Sequence, residues 1–368
     1  MRWLVFWEPT VSPHKLDWIR QLQAQPEVEG CIYVSDAHLR SERVELGWSV
    51  DEDPGFELIV APISERIRAI FAEHPEAVHI FSGMRHAPSI VLGLKCAIDS
   101  RARFGLCSEP RVLEGCAGKV RLLQSWLTER ALRRHAEFIL AIGASGPRWF
   151  RLSGYPDSRI FPFGYFVDPM HLPAPSAETN AGRRPTIAYI GRLVSEKGCD
   201  AFLQAAERLP EFDKLFVGKG PLEVDILGAA RRDPTIRFLG VVAHEKLADV
   251  FASADILVLP SQTTSDGWGV VVSEALMSGC FVIVSRFAGS SLAIVDRSLG
   301  ATLTVITADA IMQAAREALE GGLLDTQHRR TRREWGEREL SARAGARQFL
   351  AILDAGEQDI AAPQWPRF

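Results

Sequence analysis

Two carboxylates lie eight residues apart in the segment 265-SDGWGVVVSEALMSG-279, on either side of a tryptophan that glycines bracket. Asp266 precedes Gly267 and Gly269, whose missing side chains let a backbone pass close to a ligand and offer free N–H groups. Glu274 falls on the second turn of the helix predicted after this bend, where a carboxylate can accept two hydrogen bonds from a cis-diol such as a ribose. Taken singly, each acid also has a structural explanation, as a turn or N-cap residue or as an acid near a helix N-terminus.

A basic pair in the segment 186-TIAYIGRLVSEKG-198 follows an apolar run that predicts a strand ending at Ile190. In open α/β sheets ligands bind at the carboxyl ends of strands, and a helix N-terminus there favours anions. Arg192 adds a planar fork of donors and Lys197 a point charge, which is a combination suited to a diphosphate. A surface salt bridge from each base is the alternative explanation.

Short apolar runs alternate with longer amphipathic runs throughout the chain, which predicts βαβ units and parallel sheets covered by helices on both faces. The predicted strands are 3–7, 31–34, 57–61, 78–81, 103–107, 138–143, 186–190, 214–218, 235–239, 256–259 and 281–285. The helix-length runs include 13–25, 117–137 and one long helical pattern over 328–353.

The segment 169–185, rich in Pro, Ala and polar residues without periodicity, predicts a linker between two similar halves. The first predicted domain covers residues 1–168, together with a C-terminal helix at about 345–368 that crosses back to it. The second predicted domain covers residues 169–344.

The bulk composition excludes several classes of protein. The chain has 368 residues, 47% hydrophobic content and a net charge of −4, so no global positive field argues for a nucleic-acid partner. Six cysteines without a CxxC pair indicate free thiols in a reducing compartment. No apolar run approaches the ~20 residues that a membrane span needs, so we expect a cytoplasmic protein. No GxGxxG follows the first strand, which weakens an NAD-dehydrogenase interpretation.

Five ordered stretches carry a family resemblance: 191-GRLVSEKG-198, 216-FVGKGP-221, 236-IRFLGVV-242, 254-ADILVLPS-261 and 266-DGWGVVVSEALMSG-279. Together they resemble the second domain of the GT-B glycosyltransferases of family 4, the group 1 glycosyltransferases. The resemblance is strong over roughly residues 186–285. It implies an α/β fold of two Rossmann-like doubly wound domains facing a central cleft.

The resemblance also implies roles for individual residues on the donor side. Arg192 and Lys197 match the family's basic pair, which neutralises the donor diphosphate, and Glu274 matches the acid that holds the nucleotide ribose. Asp266 falls on the acid that faces the donor sugar. The remaining donor-binding positions, by the same resemblance, are Gly218, Gly220, Val242, Gly267, Trp268 and Gly269.

Three positions depart from the family pattern. Asp266 is one methylene shorter than the usual Glu, Trp268 replaces the common Phe, and Ala293 stands where a Glu is expected. These departures bear on the identity of the donor sugar more than on the fold.

Three stretches of the first half follow predicted strand ends and are candidates for the acceptor side: 8-EPTVSPHK-15, 80-IFSGMRHAP-88 and 107-CSEP-110. Their candidate residues are His14, Arg85, His86 and Glu109. Many family members place a histidine in the last of these loops. Here Glu109 takes that place and is a candidate to orient or deprotonate an acceptor hydroxyl, although each of the four also suits a solvated loop.

No metal or cofactor is expected. The acidic triplet 51-DED-53 lies in a Pro/Gly-flanked loop and is typical of solvated acids, and the resemblance implies a metal-independent reaction on a UDP- or GDP-type sugar.

The region 101–135 is rich in arginine and carries Val120, Leu122, Leu123, Trp126 and Leu127 between its charges. It predicts an amphipathic helix with two possible uses. Either it meets anionic lipid or a lipid-linked acceptor, or it packs its apolar side on the sheet.

The main functional prediction is a retaining glycosyltransferase that moves a sugar from a nucleotide-diphosphate sugar to a glycan or lipid-linked acceptor. Cell-surface polysaccharide or lipopolysaccharide assembly is the expected setting, by family analogy alone. The alternatives are a nucleotide-sugar epimerase of the same architecture and a non-catalytic nucleotide-sugar-binding subunit.

Overall fold

The computed structural model describes residues 1–39, 44, 54–172 and 183–355. The acidic triplet 51–53 and the C-terminal residues 356–368 of the predicted crossing helix lie outside the described residues. The chain divides into two compact units, one of Met1–Phe166 with the segment from Ala342 onwards and one of Val167–Ser341.

The first unit contains a seven-stranded parallel sheet in the order β3-β2-β1-β4-β5-β6-β7. Its strands are β1 (Arg2–Glu8), β2 (Val28–Ser35), β3 (Glu57–Val60), β4 (Val78–Phe81), β5 (Arg103–Ser108), β6 (Phe138–Ile142) and β7 (Ile160–Phe163). Its helices are α1 (Pro13–Gln23), α2 (Ser64–Glu73), α3 (Pro88–Ser100), α4 (Gly115–Thr128), α5 (Arg130–His135) and α6 (Gly146–Leu152).

The second unit contains a six-stranded parallel sheet in the order β10-β9-β8-β11-β12-β13. Its strands are β8 (Thr186–Ile190), β9 (Asp213–Val217), β10 (Ile236–Phe238), β11 (Ile256–Leu259), β12 (Phe281–Ser285) and β13 (Gly300–Leu303). Its helices are α7 (Cys199–Ala206), α8 (Glu223–Arg232), α9 (Leu247–Ser253), α10 (Val270–Met277), α11 (Ala308–Glu320) and α12 (Thr326–Leu340).

These sheets confirm the predicted fold class, because each unit is a Rossmann-like parallel sheet with helices. The strands β4, β6, β8 and β11 are buried over their whole length, as the near-continuous apolar runs predict. Two strands were not predicted, β7 and β13, and both lie at a sheet edge. Pro162 in β7 weakens the strand pattern, and an edge is where a sheet tolerates a residue without an N–H group.

The long helix predicted over 328–353 is wrong, because the chain forms two helices there. Ser341 adopts an extended conformation between α12 and α13 (Ala342–Ala355), and it pairs with Val167 in an isolated parallel bridge. The helix α13 then packs on the first unit, where the Phe349 ring lies 5.4 Å from that of Trp18.

The single helix predicted over 117–137 is interrupted at Glu129, whose carboxylate turns inwards. Both of its oxygens are hydrogen-bonded there, one to Arg85 and one to the Tyr155 hydroxyl at 2.9 Å. Burial of a charge requires such partners, and they outweigh the helix pattern of the surrounding residues. Among the helices that the structure describes, none combines the length and apolarity needed to cross a membrane.

Candidate functional site

The second unit has its topological switch point between β8 and β11, because the chain leaves β8 towards β9 and returns to β11 on the other side. Ligands of doubly wound sheets bind at the carboxyl ends of the strands at such a point. The loops after these two strands meet there, since the Gln262 amide donates to the Glu196 carbonyl at 2.9 Å.

Lys197 and Asp266, one from each of these loops, form an ion pair of 2.7 Å. The second carboxylate oxygen of Asp266 accepts a hydrogen bond from the Ser261 hydroxyl at 2.7 Å. Both charged side chains are largely screened from solvent. The structure therefore brings two predicted site residues into direct contact, and the short side chain of Asp266 is held by Lys197 and Ser261.

Arg192 supplies a positive charge that is exposed at the same strand end. Within the described residues its guanidinium makes no ion pair, and the Tyr189 hydroxyl fixes its backbone by donating to its carbonyl at 2.6 Å. This arrangement leaves the planar fork of donors available to an anion.

Close backbone contacts make glycine necessary at three predicted loop positions. A Cβ on Gly198, whose φ is 70°, would lie 2.0 Å from the carbonyl oxygen of Pro260. One on Gly218, whose φ is 135°, would lie 1.9 Å from that of Gly191. A Cβ on Gly220 would lie 2.5 Å from the carbonyl oxygen of Leu193. These contacts bring three loops together at the strand ends, so the glycines shape the site as well as leave it open.

Trp268 turns its side chain into the protein. The indole is 1% exposed and its Nε1 donates to the Ser273 hydroxyl at 2.9 Å. Only the backbone at Gly267, Trp268 and Gly269 is therefore suited to face a ligand. The indole packs inside the protein, so it does not fill the space left by the shorter side chain of Asp266.

Glu274 is buried on the second turn of α10, with 6% of its surface exposed. Burial raises the pKa of its carboxyl to about 7. Within the described part of the chain no hydrogen bond satisfies this side chain. A buried carboxyl without a partner costs free energy, and two ligand hydroxyls would offset that cost.

An apolar ledge follows β10 and borders the same loops. Leu239 and Val241 are exposed and Val242 is half-buried, while the Gly218 amide donates to the carbonyl of Gly240 at 2.8 Å. Apolar side chains in this position offer a surface on which a flat base can lie.

In the first unit, Glu109 is exposed after β5 and accepts a hydrogen bond of 2.8 Å from the Tyr165 hydroxyl. Sequence reasoning missed Tyr165, which follows β7, the edge strand that was not predicted. The nearest signal was the strand pattern of 160–163, which Pro162 obscured.

A buried polar cluster occupies the switch point of the first sheet, between β1 and β4. The Lys15 ammonium donates to Glu8 and to Ser82 and lies 3.7 Å from the Cys107 sulfur. Glu8 and Lys15 are both buried, and this ion pair was also missed. The two residues stand seven apart across a proline-rich turn, a spacing that carries no recognised signal.

The other acceptor-side candidates have different surroundings. Arg85 directs its guanidinium to Glu129, Ser125 and Thr128, which ties the loop after β4 to α4 and the break after it. His14 is half-buried in the first turn of α1, and His86 is exposed ahead of α3. Within the described residues, neither Arg85 nor His86 makes a hydrogen bond or an ion pair with Glu109. In the described residues no group of three His, Cys, Asp or Glu side chains is placed to hold a metal ion.

Part of the second unit matches a known protein family. Residues 184–321 match the family model described as glycosyl transferases group 1. A sulfoquinovosyl transferase of Arabidopsis thaliana is 29% identical over 152 residues, which is 41% of this chain and 29% of that protein. A D-inositol 3-phosphate glycosyltransferase of Mycobacteroides abscessus is 35% identical over 127 residues, 31% of this chain and 27% of that protein. The chain thus spans less than a third of these two relatives.

Among solved structures, HepE of Anabaena in complex with UDP superposes with a TM-score of 0.72. The match covers 96% of this chain and 99% of that one at 14% sequence identity, so it concerns the fold alone. Two parallel-sheet domains of this kind are the GT-B architecture that the sequence predicted, and that prediction is confirmed.

Proposed function

We propose that the chain is a group 1 glycosyltransferase, because its residues 184–321 match that family model and its fold is GT-B. Its donor is a nucleotide-diphosphate sugar bound by the second unit. The observation that carries this proposal is the meeting of Lys197, Asp266 and the glycine-shaped loops at the switch point of the second sheet.

Arg192 and Lys197 bind the donor diphosphate in this proposal. Negative charge grows on the departing nucleoside diphosphate, and stabilising such charge is usually the largest contribution to catalysis. The exposed guanidinium of Arg192 and the screened ammonium of Lys197 meet this need together, with the amides at the start of α7 adding donors. We therefore also propose that transfer proceeds without a metal ion. The family resemblance adds the proposal that the configuration at the anomeric carbon is retained.

Asp266 acts in this proposal as a reader of the donor sugar while Lys197 holds one of its oxygens. Glu274 takes two ribose hydroxyls, which would satisfy its buried carboxyl, and the ledge at Val242 receives the base. The first unit binds the acceptor, a glycan or lipid-linked molecule, and Glu109 orients one of its hydroxyls. Cell-surface polysaccharide or lipopolysaccharide assembly is the proposed setting.

A thermal-shift panel of UDP-glucose, GDP-mannose and ADP-glucose tests donor binding. A ligand at about 100 times its Kd adds about 2.7 kcal/mol to the free energy of unfolding. Incubation of the stabilising donor with EDTA present, followed by mass spectrometry for composition and proton NMR for configuration, then tests the chemistry. Release of nucleoside diphosphate and free or transferred sugar supports a transferase, and retained anomeric configuration supports the stereochemistry.

Two other outcomes of the same experiment would contradict the proposal. A nucleotide sugar converted to its epimer without acceptor indicates the epimerase alternative. Stabilisation by a donor with no turnover, in the presence or absence of divalent cations, indicates a non-catalytic binding subunit.

We further propose that α4 contacts the inner face of a membrane. Its buried side carries Gly118 and Ser125, whereas Val120, Leu123 and Leu127 are 67%, 61% and 73% exposed. Three apolar side chains of the helix are therefore exposed, while Leu122 packs against the core of the first unit. Lys119 on α4 and Arg130 and Arg134 on α5 are exposed, and they supply the positive charge that favours anionic lipid.

Co-sedimentation with phosphatidylcholine vesicles, with and without phosphatidylglycerol, tests this contact. We expect binding to the anionic vesicles and its loss in the double variant Leu123→Ser/Leu127→Ser. The matched control is Val224→Ser/Leu227→Ser, which changes two exposed apolar residues on α8 of the second unit. Equal binding by all three proteins would contradict the proposal.

A further inference from the structure

The loops that follow β5 and β7 are joined by one hydrogen bond between side chains 56 residues apart. The Tyr165 hydroxyl donates to Oε1 of Glu109 at 2.8 Å. Glu109 is exposed while Tyr165 is half-buried, so the bond links a surface carboxyl to a side chain held in the protein.

Tyr165 can act only as a donor in this pair at neutral pH. Burial and then the charge of Glu109 raise the pKa of its phenol well above the ordinary value. The phenol therefore keeps its proton and occupies one oxygen of Glu109. Within the described residues the other oxygen of Glu109 makes no hydrogen bond.

The buried polar cluster fixes the position of the Tyr165 ring. The Lys15 ammonium lies 6.0 Å from the ring centroid, within range of a cation–π attraction. Lys15 is itself held by Glu8 at the end of β1 and by Ser82 after β4. The ring thus rests on groups anchored to the central strands of the sheet, which move less than loops do.

We propose that Tyr165 is a positioning residue for the acceptor. By holding Oε1 of Glu109, it presents Oε2 to accept a hydrogen bond from the hydroxyl that receives the sugar. The inference rests on the proposed function, and it adds a residue that no motif identifies. Its physical basis is that the carboxyl of a loop glutamate has several rotamers. The hydrogen bond from Tyr165 selects one of them before the acceptor binds.

The test uses hydrolysis, without acceptor, of the nucleotide sugar of the thermal-shift panel that the wild-type protein turns over, and water takes the place of the acceptor hydroxyl. Tyr165→Phe keeps the ring and removes the hydroxyl, so we expect kcat to fall about three- to tenfold, the equivalent of one hydrogen bond. The KM for this nucleotide sugar should not change, because we place the donor on the other unit. Glu109→Gln should lower kcat at least as much.

Tyr155→Phe is the matched control, since Tyr155 donates a comparable bond of 2.9 Å to Glu129 in the same unit. It should leave kcat at the wild-type value. Wild-type kcat in Tyr165→Phe, or an equal fall in both tyrosine variants, would overturn the role of Tyr165 alone. A wild-type protein that turns over none of the three nucleotide sugars would instead overturn the proposed function.

Discussion

The two sheets of this protein share one architecture and use their switch points in opposite ways. In the first unit a lysine and a glutamate, Lys15 and Glu8, are buried against each other. In the second unit the corresponding lysine and acid, Lys197 and Asp266, are partly accessible, and the exposed Arg192 lies at the same strand end. One switch point is filled by its own charges, whereas the other leaves the guanidinium of Arg192 exposed.

The difference originates in the loops that follow the strands. Glycines at 191, 198, 218 and 220 lie where the backbones of the second unit's loops meet, and a Cβ at 198, 218 or 220 would collide with a backbone carbonyl. The loop after β1 has no glycine and turns through Pro9 and Pro13, which brings Lys15 over the strand ends. The comparison teaches that a doubly wound sheet offers a site, and that side-chain volume at the strand ends decides whether the site stays open.

The largest effect is expected from a substitution that disrupts the buried ion pair at the switch point of the first unit. Lys15→Met leaves Glu8 buried without its cation, which typically costs about 3–5 kcal/mol of unfolding free energy. Urea denaturation measures this loss. Lys95→Met, a change at an exposed lysine of α3, is the control and should be close to neutral. A loss below about 1 kcal/mol for Lys15→Met would show that the ion pair contributes little to the stability of the fold.

The same type of substitution at the switch point of the second unit should lower the activity of the protein. Lys197→Met removes the ammonium that we propose stabilises the departing diphosphate, so we expect kcat to fall about 10²–10³-fold. The unfolding midpoint should change little, because the partner Asp266 keeps Ser261 and access to solvent. Lys246→Met, at an exposed lysine of the second unit, provides the baseline. Near-wild-type turnover in Lys197→Met would refute this assignment.

Two glycine substitutions in the second unit separate the cost of a steric collision from the cost of a positive φ. Gly198→Ala and Gly240→Ala both place a side chain at positive φ, 70° and 65°. Only the first also collides with a carbonyl, since nothing lies within 4 Å of a Cβ on Gly240. We expect Gly198→Ala to lower the free energy of unfolding by about 1–3 kcal/mol more than Gly240→Ala does. Equal losses of unfolding free energy would mean that the loops after β8 and β11 shift to accommodate the added methyl group at little cost.

The smallest expected effect concerns Glu274 and pH. Its pKa of about 7 in the folded protein exceeds the ~4.3 of an unfolded chain. Between these values the folded state binds the extra proton, so the free energy of unfolding falls as pH rises through this window. Glu274→Gln should remove that slope in urea denaturations at pH 5 and 7.

The same carboxyl should make donor binding depend on pH in the opposite direction. The carboxylate accepts ribose hydroxyl bonds better than the acid, so affinity for UDP-glucose should rise about tenfold from pH 6 to pH 8. Calorimetric titration measures this change. A pH-independent affinity in the wild type, equal to that of Glu274→Gln, would remove Glu274 from the donor site.

The sequence alone determined the fold class and pointed to the residues of the candidate donor site. Strand ends, glycines and charged residues are local features, and their order along residues 186–285 is specific. Periodicity placed β8 and β11, and the residues after them could be chosen because parallel strands end at one edge of a sheet. Local patterns also failed locally, at Pro162 in β7, at Glu129 and at Ser341.

Only the tertiary structure decided which of these residues meet. The contacts of Lys197 with Asp266, of Lys15 with Glu8 and of Tyr165 with Glu109 depend on how separate loops close. It also decided that Trp268 points inwards and that the apolar face of α4 points outwards. Periodicity reports that a face is apolar, whereas the direction of that face, and the partner of a charge, follow from the packing of distant segments.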